Sequence, residues 1–321
     1  MNKLYNTQKD FTTNFNNILK KVYPNIRKTQ LNIIPPIIFG MISSENVTAT
    51  DIAKKLKDEF SLIQTDSVIK RIRRFFKNKL FNGYHLYDKF IRFVIKTYKK
   101  KHDDKRVHII FDHMFSHANF TVFMISIGHI YCIRLKGGFK VHFYDKKENH
   151  YIWVHAKELK SYEYHPAYYP DIEITHRKFK TNIVISKRHG ADEPWIIVTN
   201  NNVQRAIKDY GYRYGGVETI FKNQKSNGFN LEKVVNASLK YFESMYSILC
   251  IAITFMVIIG CDYSKNVRCY KTTKITTHKI LKSGHKQRTM SLFNVGLTLF
   301  NMALNSSKYI RIPYTFILYD S

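Results

Sequence analysis

Apolar and polar positions change period twice along this chain. Up to about residue 100 the apolar residues recur at helical spacing; from Val107 they fall into short runs of strand length; beyond residue 200 the helical period returns. In the first block, Thr12 to Tyr23 is Asn-rich, and Pro35-Pro36 breaks or starts a helix. Thr48 to Asp51 can cap a short helix through Leu56. After a turn around Ser61 to Thr65, either Thr65 or Asp66 can cap a second helix, Ser67 to Lys77. Val68, Ile69, Ile72 and Phe75 form its apolar stripe, and Lys70, Arg71, Arg73, Arg74 and Lys77 crowd the other face. Two short helices joined by a turn, the second one basic, fit a helix-turn-helix that lays its second helix on DNA. They fit an ordinary helical hairpin with a solvated basic face equally well. Phe81 to Lys101 predicts a further amphipathic helix, and the charged Lys101 to Arg106 marks a domain boundary.

The middle block predicts strands. Val107 to His113 reads as a buried strand that delivers Asp112 at its end, and Phe120 to Ile127 as a second one. Short runs follow at Ile130 to Leu135, Phe139 to Tyr144, Tyr151 to Val154, Ile172 to Thr175, Phe179 to Lys187 and Trp195 to Thr199. Turn-rich separators such as Lys136-Gly137-Gly138 and Pro166 to Asp171 divide them.

The stretch Tyr210 to Phe229 opens on a glycine-rich, aromatic turn carrying Arg213 and continues as a helix. Glu218, Lys222 and Lys225 share one face of that helix. A lone acid among lysines and tyrosines suits a divalent cation beside a phosphate; on periodicity alone the plainer reading is a surface pair with Lys222. Asn230 to Glu243 reads as a helix. The apolar run Met245 to Cys261 has the length of a buried core helix and the lower limit of a membrane span; it is read as core, with no membrane partner. Tyr263 to Met290 is polar and basic, either a phosphate-contacting arm or a solvated loop. Ser291 to Asn305 predicts a last amphipathic helix, and Ile310 to Tyr319 a closing strand or packed extension.

Composition sharpens this. Lys plus Arg number 52 against 24 Asp plus Glu, a formal net charge of +28 spread over all 321 residues. So large an excess exceeds what solubility needs and points to a polyanion, by default nucleic acid. Hydrophobic residues make up 44%, which supports a sizeable core and excludes a disordered chain. The four cysteines, Cys132, Cys250, Cys261 and Cys269, form no CxxC pair, so neither a zinc site nor a disulfide framework is indicated. The histidines of the middle block lack zinc-protease spacing. The N-terminus has no secretory pattern, and a reducing cytoplasm fits.

Asp112 at a strand end and Glu218 on a later helix, with β-rich sequence between them, resemble the DDE-type transposases of bacterial insertion sequences, specifically the family with a Tyr–Arg–Glu–Lys signature on its last catalytic helix. Tyr210 and Arg213 keep the family's two-residue gap and Glu218 and Lys225 its six-residue gap, while four residues stand between Arg213 and Glu218 instead of three. The segments IIFDHMFSHANFTVFMISI and RAIKDYGYRYGGVETIFKNQKSNGF look like a clostridial-type branch of that family. The resemblance implies an α/β fold: an RNase H-like core with a β-rich insertion at about 129–200, spanning 105–321, behind a helical DNA-binding domain at 1–104. It implies cleavage and transfer of DNA strands by two magnesium ions about 3.5–4 Å apart, held by two Asp and one Glu. Carried over by position, Asp112 and Glu218 are metal ligands and catalytic carboxylates. Tyr210, Arg213 and Lys225 hold transposon-end DNA, beside Lys70, Arg71, Arg73 and Arg74 of the basic helix. Double-stranded DNA is the implied partner, a homodimer the implied assembly, and the bacterial nucleoid the implied location.

The sequence departs from the family at one place. Ile127 runs straight into Gly128, where the family inserts a strand, a helix and a strand ending in the second Asp. No Asp lies between Asp112 and Asp145. This implies an internal deletion, an incomplete core and a copy defective in cleavage, since one Asp and one Glu offer too few anionic oxygens for two hard cations. A non-catalytic DNA-binding relic or repressor of transposition is the alternative expectation.

Overall fold

The computed structural model describes residues 8–56, 64–101, 108–111, 130–145, 147–160, 165–174, 178–187, 190–212, 222, 224–225, 228–235, 237–265, 275–280, 284 and 286–306. The protein is mixed α/β and divides into two compact units, one made of 1–101 with 220–321 and the other of 102–219. The first cut falls at the charged Lys101 to Arg106 stretch. The second falls inside the Tyr210 to Phe229 stretch. Residues 220–321, expected to share a domain with the strands, therefore group with the N-terminal helices.

The first unit is helical. Its elements are α1 (Gln8–Val22), α2 (Lys28–Leu31), α3 (Ile34–Ser44), α4 (Ala49–Lys55), α5 (Thr65–Phe76) and α6 (Gly83–Lys101). The late-sequence α8 (Leu239–Lys265) and α9 (Leu292–Ser306) complete it; α7 belongs to the other unit. Helix α8 is the apolar run and the centre of this unit: α3, α5, α6 and α9 all pack against it. It is the one helix among the described residues long and apolar enough to cross a membrane, and 67% of its most apolar window is buried inside the protein. Two of its hydroxyls bond back along the helix: Ser247 Oγ donates to the Glu243 carbonyl and Thr254 Oγ1 to the Cys250 carbonyl, each at 2.8 Å. Phe255 of α8 meets Phe11 and Phe15 of α1 edge-on at 5.8 and 5.3 Å, and Phe11 meets Phe300 of α9 at 5.8 Å. The core thus joins the first described helix to the last. Residues expected to begin a helix at Asn230 instead make one 3-10 turn, Leu231–Lys233, before α8 starts. The polar stretch after α8 includes a small hairpin, β8 (His278–Ile280) with β9 (Lys286–Arg288).

The second unit carries a seven-stranded sheet in the order β1-β2-β7-β6-β5-β3-β4. Its strands are β1 (His108–Phe111), β2 (Ile130–Arg134), β3 (Lys140–Asp145), β4 (His150–His155), β5 (Ala167–Ile174), β6 (Phe179–Ser186) and β7 (Trp195–Thr199). β1 and β2 pair in parallel and every other neighbouring pair is antiparallel. Alternation assigns the side chains to faces. Tyr131, Ile133, Val141, Ile172, Ile183 and Val198 fill one face. Cys132, Val184, Trp195 and Ile197 fill part of the other, where Ala206 and Tyr210 of α7 (Val203–Gly211) cover them. β7 is buried at all five positions, which is why four apolar residues in a row, Trp195 to Val198, precede Thr199 in place of an alternating pattern. Asn202 caps α7 by accepting from the Arg205 amide at 2.9 Å.

Candidate nucleic-acid interface

Helix α4 begins where Thr48 Oγ1 accepts from the Asp51 amide at 3.2 Å and donates to Asp51 Oδ2 at 2.8 Å. That hydrogen bond is the main reason the Asp51 carboxyl sits below its ordinary value; Lys54 at 3.3 Å and the field of Lys233 act in the same direction, against partial burial. Helix α5 packs against α4 and α8. Its apolar stripe points inward: Val68, Ile72, Phe75 and Phe76 are buried. Lys70, Arg71, Arg73, Arg74 and Lys77 are all exposed. Packing therefore settles which way the basic face turns: toward solvent, as a row of cations one helix long. Such a row supplies the charge and spacing that contact with phosphate backbones requires.

The other predicted contacts are placed differently. Tyr210 is fully buried; its ring meets Trp195 edge-on at 4.9 Å. Its ring packs α7 onto the sheet. The apolar stripe Val203, Ala206, Ile207 and Tyr210 is the sequence signal for that role. Lys225 is exposed and lies 3.6 Å from Glu232 Oε1, a surface ion pair that contributes little by itself. Tyr210 belongs to the sheet unit and Lys225 to the helical one. Asp112, Arg213 and Glu218 lie outside the described residues, as does the predicted strand Phe120 to Ile127. Among the described residues no three or more His, Cys, Asp or Glu side chains are grouped so that they could hold a metal ion.

The sheet unit offers a second surface that sequence reasoning did not single out. Where α7 ends its cover, the same sheet face continues over β3, β4 and β5. Tyr144, Tyr151 and Trp153 are 45%, 51% and 43% exposed there. Register explains the cluster: His142 stands opposite Trp153 and Tyr144 opposite Tyr151. The His142 ring stacks on Trp153 at 4.8 Å, Tyr144 meets Tyr151 edge-on at 5.3 Å, and His142 Nδ1 lies 2.7 Å from Glu173 Oε2. Exposed rings in register on a strand pair are the signal available in the sequence, at positions 142, 144, 151 and 153.

No protein-family model matches the chain, and no curated protein matches it.

Proposed function

We propose that this chain is a DNA-binding protein of the insertion-sequence transposase kind, engaging double-stranded DNA through α4 and α5 and defective in strand cleavage. The observation that carries the reading is the exposed basic face of α5, Lys70, Arg71, Arg73 and Arg74, set opposite a stripe packed into the core. The formal net charge of +28 supports it, because it supplies long-range attraction to a polyanion. The Tyr210, Arg213, Glu218 and Lys225 spacing supports the lineage. In this reading β1, β2, β7 and α7 are what remains of an RNase H-like core, and β3 to β6 belong to its β-rich insertion. The exposed rings of β3 and β4 suit contact with bases that have left the stack.

The cleavage defect rests on sequence. The family's two-magnesium chemistry needs three carboxylates, and the chain offers Asp112 and Glu218 with no Asp between residues 112 and 145. No reaction step is derived from that incomplete set.

The test uses the purified full chain and duplex DNA carrying the terminal inverted repeats that flank its gene. Binding should weaken when Lys70, Arg71 and Arg74 are changed together to Ala. The slope of log affinity against log salt should fall by about 0.9 for each lost phosphate contact. Unchanged affinity and slope overturn the α5 assignment. Efficient cleavage of the same DNA with magnesium overturns the proposed defect.

A further inference from the structure

The helical unit contains an open cleft of about 870 Å³ between the C-terminal end of α5 and the segment that leads into α8. Five cationic side chains line it: Arg73, Lys77, Lys79, Lys233 and Lys240. No carboxylate is among its described lining residues. Two acids stand next to it in the chain or in the field of its lysines, and both are engaged. Asp51 holds Thr48 and Lys54, and Glu232 pairs with Lys225. Lys240 donates to the Phe81 carbonyl at 2.5 Å, which fixes its ammonium while leaving further N–H donors for a ligand. Apolar groups line it as well. Tyr241 and Val234 are among its lining residues, and the Tyr241 ring makes an edge-on contact with Phe76 at 5.1 Å.

We propose that this cleft receives a single unpaired nucleotide, its phosphate among Lys77, Lys79 and Lys233 and its base against Tyr241. A nucleotide matches both halves of the site. A phosphodiester or terminal phosphate supplies anionic oxygens for compact ammonium groups, and a base supplies a π-face for the tyrosine. A carboxylate ligand would match the cations alone and leave the Tyr241 ring uncovered. Arg73 belongs both to the cleft and to the basic face of α5, so a strand lying along α5 reaches the cleft without a break. The inference thus deepens the nucleic-acid reading and rests on it where the nucleotide belongs to a strand. A free nucleoside monophosphate offers the same chemistry.

The experiment measures binding of the full chain to three probes: a blunt duplex, the same duplex with a short 5′-phosphorylated single-stranded overhang, and deoxyadenosine monophosphate as competitor. The wild-type chain should prefer the overhang duplex by about tenfold, the scale of one stacked base. Lys79→Ala with Lys233→Ala should remove that preference and leave blunt-duplex binding within about twofold. Tyr241→Leu should remove it as well, and Tyr241→Phe should keep it, with circular dichroism confirming that each variant is folded. Lys70→Ala with Arg74→Ala should weaken both duplexes equally. If the monophosphate binds and displaces no overhang duplex, the nucleotide chemistry stands and its source is the free nucleotide. If inorganic phosphate competes as well as the monophosphate, or if the cleft variants weaken both duplexes alike, the proposal fails. A chain that ignores every duplex yet binds the monophosphate through Lys79 and Lys233 would overturn the DNA reading and keep the cleft.

Discussion

Gly260 of α8 and Gly296 of α9 mark a crossing at which two helix backbones touch. A Cβ placed on Gly260 would overlap the Leu292 carbonyl, and one placed on Gly296 would overlap the Met256 carbonyl. The obstacle is main chain in both cases, so no rotamer change relieves it. Gly260→Ala and Gly296→Ala should each destabilise the helical unit by on the order of 1–3 kcal/mol. Thermal unfolding followed by circular dichroism would register this as a midpoint lowered by several degrees. A midpoint unchanged in both variants would mean that α8 and α9 do not cross here.

The Thr48 cap links stability to acid. The Asp51 carboxyl is lowered from its ordinary value of 3.8, first by the Thr48 hydrogen bond. A carboxyl with a depressed folded value stabilises the fold above its unfolded value and loses that contribution as pH falls through the folded one. Wild type should therefore shed a fraction of its stability as pH drops below about 3.8, and Asp51→Asn should lack that fraction. Thr48→Ala should cost about 1 kcal/mol near neutral pH, the usual loss for a helix cap. Denaturant titrations at matched pH values would separate the two effects.

Two cysteines should be nearly silent toward thiol reagents. Burial pushes the Cys132 and Cys250 thiols up to about 11, each only partly offset by a hydrogen bond, to Thr199 and Tyr246 respectively. Near neutral pH each should carry about a hundredfold less thiolate than an ordinary cysteine. Mass spectrometry after brief alkylation should find both unmodified in the native chain and labelled in denaturant. Rapid native labelling of Cys132 would refute the packing of α7 over β2.

The two tryptophans should report the open and the covered parts of one sheet face separately. Trp153 is 43% exposed on the open sheet face and Trp195 is 9% exposed beneath α7. The Trp195→Phe variant should emit at long wavelength and be quenched readily by acrylamide. The Trp153→Phe variant should emit at shorter wavelength and resist quenching. Equal quenching of the two variants would contradict the partial cover of this face.

Local signals carried much of the fold in the sequence. The run Trp195 to Thr199 coincides with β7, because four consecutive apolar residues between turn residues need burial on both faces. Thr48 was legible as a cap because capping depends only on residues within one turn. The pairing of residues 220–321 with the first hundred was not legible. No composition shift marks a boundary inside Tyr210 to Phe229, and the contacts of Phe11 with Phe255 and Phe300 are non-local. The apolar run Met245 to Cys261 has the same composition whether lipid or protein surrounds it; only the helices packed on it distinguish the two. Tyr210 was read from its motif, whereas its helical register assigns it to the core. Lys79, Lys233 and Lys240 drew no notice, since they come from distant segments and gather only around the cleft.

The sheet unit interrupts the helical one in the chain, entering after residue 101 and leaving before residue 220. Synthesis from the N-terminus therefore delivers α1 to α6 long before α8, the element they surround, exists. Until then Phe11 and Phe15 lack the Phe255 ring they meet in the folded unit, an invitation to chaperones and to premature association. A fragment ending at residue 101 would be caught permanently in that condition, so the α5 surface ripens only once the last third of the polypeptide has emerged.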